Sequence, residues 1–391
     1  MNYTMPKHIG DYNKNQMLSI LRERGPTSRV ELSRLLGISP AAISRSTSRL
    51  LDKGIIKECD AGVSDMGRKP VPVELCRDFC YVLGADLVGG TLKIALADLM
   101  GEIIKYHEEP IFREKGAHAV LGQLLNALKK IIRDAGAPQE KIWVITIGTP
   151  GIFNPETGKS KHTFFIDKWD DIDIRSWVFE SLSIETVIEN DVNLDVIGES
   201  WKGVGQDYDN ILYVKLGQGL AARVVLEGRL LRGEHHMAGE IGYMLPASEV
   251  TDQPVFAAQD AVVNYEHMLN NTAASRQYRD ITGEQSAATI SDICGLANGG
   301  DEPAKTVLSQ LLDHFGVVLL NSATVLDPQV IILGGDAGSF GEKEIAVLKK
   351  RIEEHFPLPN IIPSKLQKQA CLYGAIKMGL DRVEKRITDI W

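Results

Sequence analysis

Apolar positions recur at helical spacing in three short runs over the first fifty-odd residues, and from Tyr81 they change to strand-length runs alternating with helices. Met17, Leu18, Ile20 and Leu21 share one side of a run from Asn13 to Arg24, which Gly25-Pro26 terminates. Ser28, with Glu31 three positions on, predicts an N-cap and a reciprocal capping box before Leu32, Leu35 and Leu36. Gly37 ends that helix. Ser39-Pro40 then supplies a new cap and a proline at the first helical position, opening a third helix that runs to about Lys53 and stops at Gly54.

A short helix, a tight glycine-containing turn and a second helix make a helix-turn-helix unit. In its second helix Ile43, Leu50 and Leu51 face inward, while Ala41, Ser44, Arg45, Ser48, Arg49 and Asp52 fall on the opposite stripe. Small side chains and hydroxyls permit close approach to a major groove, and arginine bonds guanine O6 and N7 bidentately. An ordinary solvated face is the alternative reading; the agreement of caps, turn and stripe favours DNA recognition, with Ser28 and Ser39 at the helix starts. Ile55–Cys59 and Val71–Leu75 read as two strands around a Gly-rich basic tip, a wing. Its Arg68 and Lys69 are candidates for the minor groove or for phosphates, or are simply a charged hairpin tip.

Beyond the wing, strands are predicted at Tyr81–Leu87, Leu92–Ala97, Glu102–Tyr106, Ile142–Gly148, Thr186–Glu189, Ile211–Leu216, Ala222–Leu226 and Val330–Leu333, with a helix at Ala117–Ala135. Two clusters of consecutive hairpin strands in one α/β chain imply duplicated lobes with a cleft between them. The division expected is a head of residues 1–76 and a body of residues 77–391.

Charge agrees with that division. Lys+Arg outnumber Asp+Glu by 12 to 8 in residues 1–75, and fall short by 31 to 44 in the remainder. A basic head on an acidic body suits a chain that holds nucleic acid at one end only. No apolar run approaches the length of a membrane span, no secretory h-region is evident, and the five cysteines form no C-x-x-C pair. A reduced, cytoplasmic protein with no membrane partner is expected.

Candidate chemistry lies at the predicted strand ends. Asp86-Leu87-Val88-Gly89-Gly90-Thr91, Gly217-Gln218-Gly219-Leu220 and Leu333-Gly334-Gly335-Asp336 place glycines at turns, where backbone N–H groups approach a phosphate or where any tight turn needs them. Glu189-Asn190-Asp191-Val192-Asn193 sets an amide and a carboxylate before a helix beginning near Val192; taken singly, Asp191 reads as an N-cap. Gly239-Glu240-Ile241-Gly242-Tyr243 offers another carboxylate between glycines.

Together these motifs resemble the ROK family of sugar kinases and sugar-responsive repressors. The head matches at Asn13-Lys14, Gly25–Leu32, Gly37–Pro40 and Gly67–Pro70; the body matches at Gly148–Gly151, Glu189–Asp191, Gly228–Gly233, Ala238–Gly242 and Leu333–Gly335. The resemblance implies a winged helix-turn-helix followed by a two-lobed, actin-like and ribonuclease H-like sugar-kinase fold. It also implies a sugar or sugar derivative in the cleft, bound by Pro150, Gly151, Asn190, Asp191, His235, Glu240 and Tyr243, with Asp191 at the place of the kinases' general base. Operator DNA and a homodimer, possibly a tetramer, are the implied partners.

Departures from the family pattern carry as much information. Val88 and Gly90 spoil the first phosphate motif, and Ala221 and Arg223 replace later glycines of the second. Tyr243 stands where a zinc-ligating histidine is usual, and Met244–Ala258 has no cysteine. Thr163–Trp169 lacks the asparagine usual before that tryptophan. The expectation is a repressor without cofactor, metal or catalysis; the alternative is an ATP-dependent sugar kinase that also binds DNA.

Overall fold

The computed structural model describes residues 6–59, 71–154, 156–161, 166–246, 264–283, 289–353, 357 and 359–390. The head consists of α1 (Pro6–Arg24), β1 (Thr27–Ser28), α2 (Arg29–Leu36), α3 (Pro40–Asp52), β2 (Ile56–Glu58) and β3 (Pro72–Leu75). Its three strands pair antiparallel in the order β1-β3-β2, the sheet of a wing. Wing residues Arg68 and Lys69, with Gly67 and Pro70, lie outside the described residues.

Local chemistry accounts for the head's joints. Ser28 accepts the Glu31 N–H at 3.2 Å and Ser39 accepts the Ala42 N–H at 3.4 Å, so both serines cap as expected. The reciprocal half of the capping box is not formed; Glu31 faces Arg34 at 4.0 Å instead. Gly37 closes α2 in the left-handed conformation, donating to Ser33 O. Leu51 of α3, expected to face inward, is only half-buried. Leu35 is exposed, because the eight-residue α2 seats a single stripe, Leu32 and then Leu36, and Leu35 stands one step around it. Inside α3 it is Thr47, with Ile43 and Leu50, that is buried.

The body repeats one plan twice. In the first lobe β4 (Tyr81–Asp86), β5 (Thr91–Ala97) and β6 (Ile103–Pro110) run antiparallel, then α4 (Ala117–Ala135), β7 (Ile142–Thr149), the hairpin β8 (Ile152–Asn154) and β9 (Lys159–Lys161), α5 (Ile174–Leu182), β10 (Glu185–Asn190) and α6 (Asp191–Lys202) follow. The sheet order is β10-β7-β4-β5-β6, with β4, β7 and β10 parallel. The second lobe has β11 (Ile211–Leu216), β12 (Leu220–Leu226) and β13 (Arg229–Leu230) antiparallel. They are followed by α7 (Tyr265–Met268), α8 (Asn271–Thr282), α9 (Ile290–Asn298), α10 (Glu302–Leu326), β14 (Val330–Gly335), α11 (Glu342–Glu353), β15 (Asn360–Pro363) and α12 (Ala370–Ile390). Its order, β13-β12-β11-β14-β15 with β11, β14 and β15 parallel, mirrors the first.

The C-terminal helix ties the parts together. α12 returns from the second lobe to pack on α6 and on β4 and β7 of the first. One apolar cluster then runs from Met17, Leu21, Leu32, Ile43 and Leu50 of the head into Val82, Val144, Ile376, Leu380 and Ile387 of the body. Polar contacts reinforce this seam: Lys14 Nζ donates to Thr388 O (3.3 Å), Arg22 Nε to Leu99 O (3.0 Å), and the Arg22 guanidinium pairs with Glu384. Burial pushes the Glu384 carboxyl up, and Arg22 opposes that shift. A buried, paired charge at this seam makes the docking of head on body geometrically specific. No helix among the described residues is long and apolar enough to cross a membrane.

Candidate functional site

The carboxyl end of β10 and the start of α6 meet Lys215 of β11 and Arg223 of β12, and carboxyl ends of strands are where open α/β sheets place ligands. Register puts Asp86 beside Gly148, Thr149 beside Asn190, and Leu216 beside Gly335. At the first motif Asp86 Oδ1 accepts the Val88 N–H at 2.9 Å, and Gly89 and Gly90 turn at φ 78° and 83°. Two successive positive φ angles make that hairpin need both glycines.

The β10–α6 corner brings several expected residues together. Asn190 caps α6, its Oδ1 accepting the N–H groups of Val192 (2.9 Å) and Asn193 (3.0 Å). The cap is therefore Asn190, and Asp191 is the first helical residue, one position earlier than expected. Asn190 Nδ2 donates to Gly151 O at 2.8 Å, which joins the Pro150-Gly151 turn to the corner. That turn is held by Trp169, whose indole N–H donates to Thr149 Oγ1 at 2.9 Å. Thr163–Phe165, where the family pattern was missed, lie outside the described residues, as do residues 247–258 of the cysteine-free stretch.

Glu240 enters from the opposite side. Gly239, at φ 89°, lies so close to β12 that a Cβ there would strike Ala222 O, and Ala222 N–H donates to Gly239 O at 2.7 Å. This seats Glu240 against Arg223. Tyr243 follows, its hydroxyl pKa pushed up to about 12 by burial and by the charges of Glu240 and Glu266. His235 is exposed and shares no hydrogen bond or ion pair with Asn190, Asp191 or Glu240.

Cations that sequence reasoning did not place in the site dominate its geometry. Lys215 Nζ lies 2.8 Å from Asp191 Oδ2 and 2.7 Å from Asp195 Oδ2, the second an ion pair without hydrogen-bond alignment. Burial would lower the Lys215 pKa, but Asp191 and Asp195 outweigh it and hold it well above the ordinary value. Burial lifts the Asp195 carboxyl to about 6 against the pull of Lys215. Arg223 Nη2 donates to Glu240 Oε1 (2.7 Å) and Asn190 Oδ1 (3.1 Å), and Arg232 pairs with Glu189 (2.6 Å). A lysine inside the apolar run Ile211–Leu216 was the available signal for the first of these.

Glu266 was also missed, since nothing near it in sequence marks it. Its carboxylate accepts the Leu220 N–H at 2.7 Å at the end of the second glycine turn. Burial raises its pKa to about 7, the Leu220 hydrogen bond opposes this, and Glu240 adds to it. The neutral form therefore contributes stability that is fully present below about 4.5 and is lost as pH rises through about 7. Glu266→Gln keeps an acceptor and cannot ionise. In thermal melts the wild type should lose roughly 3 kcal/mol relative to this variant on going from acid to mildly alkaline pH. Parallel pH profiles of the two proteins would contradict the assignment.

The residues expected to face DNA are equally well separated from the core. Ala41, Ser44, Arg45, Ser48, Arg49 and Asp52 are all exposed along α3, opposite Ile43, Thr47 and Leu50. Arg29 of α2 braces the two helices by donating to Thr47 Oγ1 at 3.2 Å and pairing with Glu58 of the wing at 2.8 Å.

Comparison with known proteins follows the same division. The pattern of a winged helix-turn-helix DNA-binding domain matches residues 11–57, and that of the ROK family matches residues 82–382. The xylose repressor of Caldicellulosiruptor bescii is 26% identical over 393 residues, covering 96% of both chains. A glucokinase of Halalkalibacterium halodurans is 26% identical over 288 residues, 71% of this chain and 85% of the enzyme. The crystal structure of a ROK family transcriptional regulator, a homologue of the E. coli MLC protein, superposes with a TM-score of 0.80 at 24% identity, over 97% of this chain and 99% of that one. With its family domain preceded by a winged helix-turn-helix head, the chain belongs to the ROK family.

Proposed function

We propose that this chain is a cytoplasmic, sugar-responsive transcriptional repressor that reads operator DNA through α3 and the wing, and binds a sugar or sugar derivative in the cleft of a body that does not transfer phosphate. The observation that carries it is the pairing of a fully exposed α3 stripe with a ROK body on one chain, which aligns over 96% of its length with a repressor and over 71% with the glucokinase. Residues 1–76 serve as the head and 77–391 as the body. A homodimer sets two α3 helices on half-sites of a palindrome, a helical turn or a multiple of it apart.

Two features support a body without catalysis. Both oxygens of Asp191, the residue at the general-base position, are in use: Oδ2 with Lys215 and Oδ1 as acceptor from Asn190 at 3.4 Å. Arg223 stands where the family's second phosphate turn calls for glycine, and a side chain there crowds a phosphate. Asn190, Asp191, Glu240, Tyr243 and the Gly151 carbonyl remain as partners for sugar hydroxyls, and burial of unmet polar groups is what makes such sites selective.

The test measures melting temperature and binding to DNA selected from a random pool, with and without xylose, glucose, N-acetylglucosamine and their phosphates. One of these should raise the melting temperature and change DNA affinity, and Asp191→Ala should remove that response while sparing DNA binding. A panel without any response sinks the sugar reading. ADP release from ATP and a sugar at enzyme-like rates would establish the kinase alternative.

A further inference from the structure

Three carboxylates gather where the end of β4 comes near the start of α6. Asp86 closes β4, Asp191 opens α6 and Asp195 stands one turn further along it, and all three side chains are only 5–7% exposed. Burial raises the carboxyl pKa of both Asp86 and Asp195, and the charge of Asp191 adds to each shift. Each carboxylate carries a lysine. Lys93 stands directly across from Asp86 in the β4–β5 ladder, its Nζ 3.4 Å from Asp86 Oδ2 and donating to Lys368 O at 2.7 Å. Lys215 of β11 sets one Nζ 2.8 Å from Asp191 Oδ2 and 2.7 Å from Asp195 Oδ2. A single ammonium therefore occupies the point that an ion bridging those two carboxylates would take.

Packing fixes these positions. Val192 and Val196 of α6 are buried with Ile211, Tyr213 and Ile332 of the second sheet, so α6 and β11 form one unit and Lys215 stays beside its partners. Lys93 lies inside β5 with its side chain 10% exposed. An ammonium pushed off its carboxylate here would be left buried and unpaired, which is strongly unfavourable. Phosphoryl transfer depends on a divalent cation that carboxylates hold against the phosphates. Asp86, Asp191 and Asp195 have the charge for such an ion, yet among the described residues no group of three acidic, histidine or cysteine side chains has the geometry to hold one.

We infer that Lys93 and Lys215 are built-in counter-ions that take the place of a divalent metal on Asp86, Asp191 and Asp195, and so keep metal-bound phosphates out of this corner. The two lysines are then the residues that bar the body from metal-dependent phosphate chemistry, in addition to the side chain that crowds the second glycine turn. The inference rests on the ion pairs and their packing, and not on the sugar reading above.

The experiment titrates Mn²⁺, as a probe, into the full chain, reading free Mn²⁺ by electron spin resonance and following the melting temperature alongside. Wild type should show no saturable site at this corner. Lys215→Met and Lys93→Met should each bind Mn²⁺ at least about tenfold more tightly than wild type and melt at higher temperature in its presence. Lys215→Arg keeps the positive charge and should behave as wild type does. The two methionine variants free different carboxylates, so Lys93→Met reports on the inference even where Lys215→Met folds poorly; refolding of Lys215→Met by Mn²⁺ would itself be the expected response. Folded lysine variants that bind Mn²⁺ no more tightly than wild type would overturn the inference. So would tight binding by the wild type that Asp195→Asn abolishes. Neither result depends on the sugar panel, whose silence sinks the sugar reading alone.

Discussion

Gly374→Ala should destabilise the chain by about 3 kcal/mol or more, a large effect for one methyl group. The cause is the crossing of α6 and α12. A Cβ on Gly374 would run into the carbonyl oxygen of Leu194, and a Cβ on Gly198 into that of Ala370, so each glycine lies against the other helix's backbone. Backbone cannot rotate aside as a side chain does, and the helices must separate. The crossing also lies next to the buried contact of Leu194, Cys371 and Ala375, which separation would open. Because α12 carries Glu384 and Thr388 to the head, the same change should loosen the head: amides of α1 and of the end of α12 should exchange faster than in wild type. Denaturant melts give the magnitude. Gly122→Ala is the control, since a Cβ there meets open space and removing a helical glycine costs nothing. Equal stability of the two variants would show that the crossing accommodates the methyl group, contrary to the packing argument.

Much of this architecture was legible before any coordinates. Ala117–Ala135 and Ile211–Leu216 occur with the bounds that their patterns predict, because a long amphipathic run and a short apolar run rich in β-branched and aromatic residues leave few alternatives. The caps at Ser28 and Ser39 and the glycine at the α2 terminus were equally local: each serine satisfies an N–H three residues on, and Gly37 closes the helix through its own backbone N–H. Less legible was whatever depends on distant partners. Leu35 belongs to an apolar helix face, yet too little packs on that side of α2 to cover it. β15 is four residues ending in proline, and only its parallel partner β14 makes it a strand. Lys215 and Asp191 are 24 positions apart and Arg223 and Asn190 are 33 apart, so no local pattern announces either pair. Arg223 was visible as an odd residue in a glycine motif, but its direction, toward Glu240 rather than toward solvent, is a property of the fold.

Arg45→Ala should weaken binding to the selected operator by about 2 kcal/mol, roughly thirtyfold, and leave binding to unrelated DNA nearly unchanged. The argument begins with α3. Thr47 is buried and its hydroxyl is spent on Ile43 O (3.0 Å), Ser44 O (3.1 Å) and the Arg29 side chain, so its face is committed to the head's interior. That commitment fixes the rotation of the helix and turns Ala41, Ser44, Arg45, Ser48 and Arg49 outward together. Arg45 is flanked one turn in either direction by the small side chains Ala41, Ala42 and Ser48, which lets the helix backbone approach base edges while a long guanidinium reaches them. A base-edge contact loses discrimination when truncated; a phosphate contact loses affinity uniformly and lowers the salt dependence. Titrations of the operator and of a scrambled duplex at two salt concentrations separate these outcomes. A uniform loss on both duplexes, with a shallower salt slope, would reassign Arg45 to the phosphate backbone and leave Arg49 as the arginine of the stripe to test for base reading.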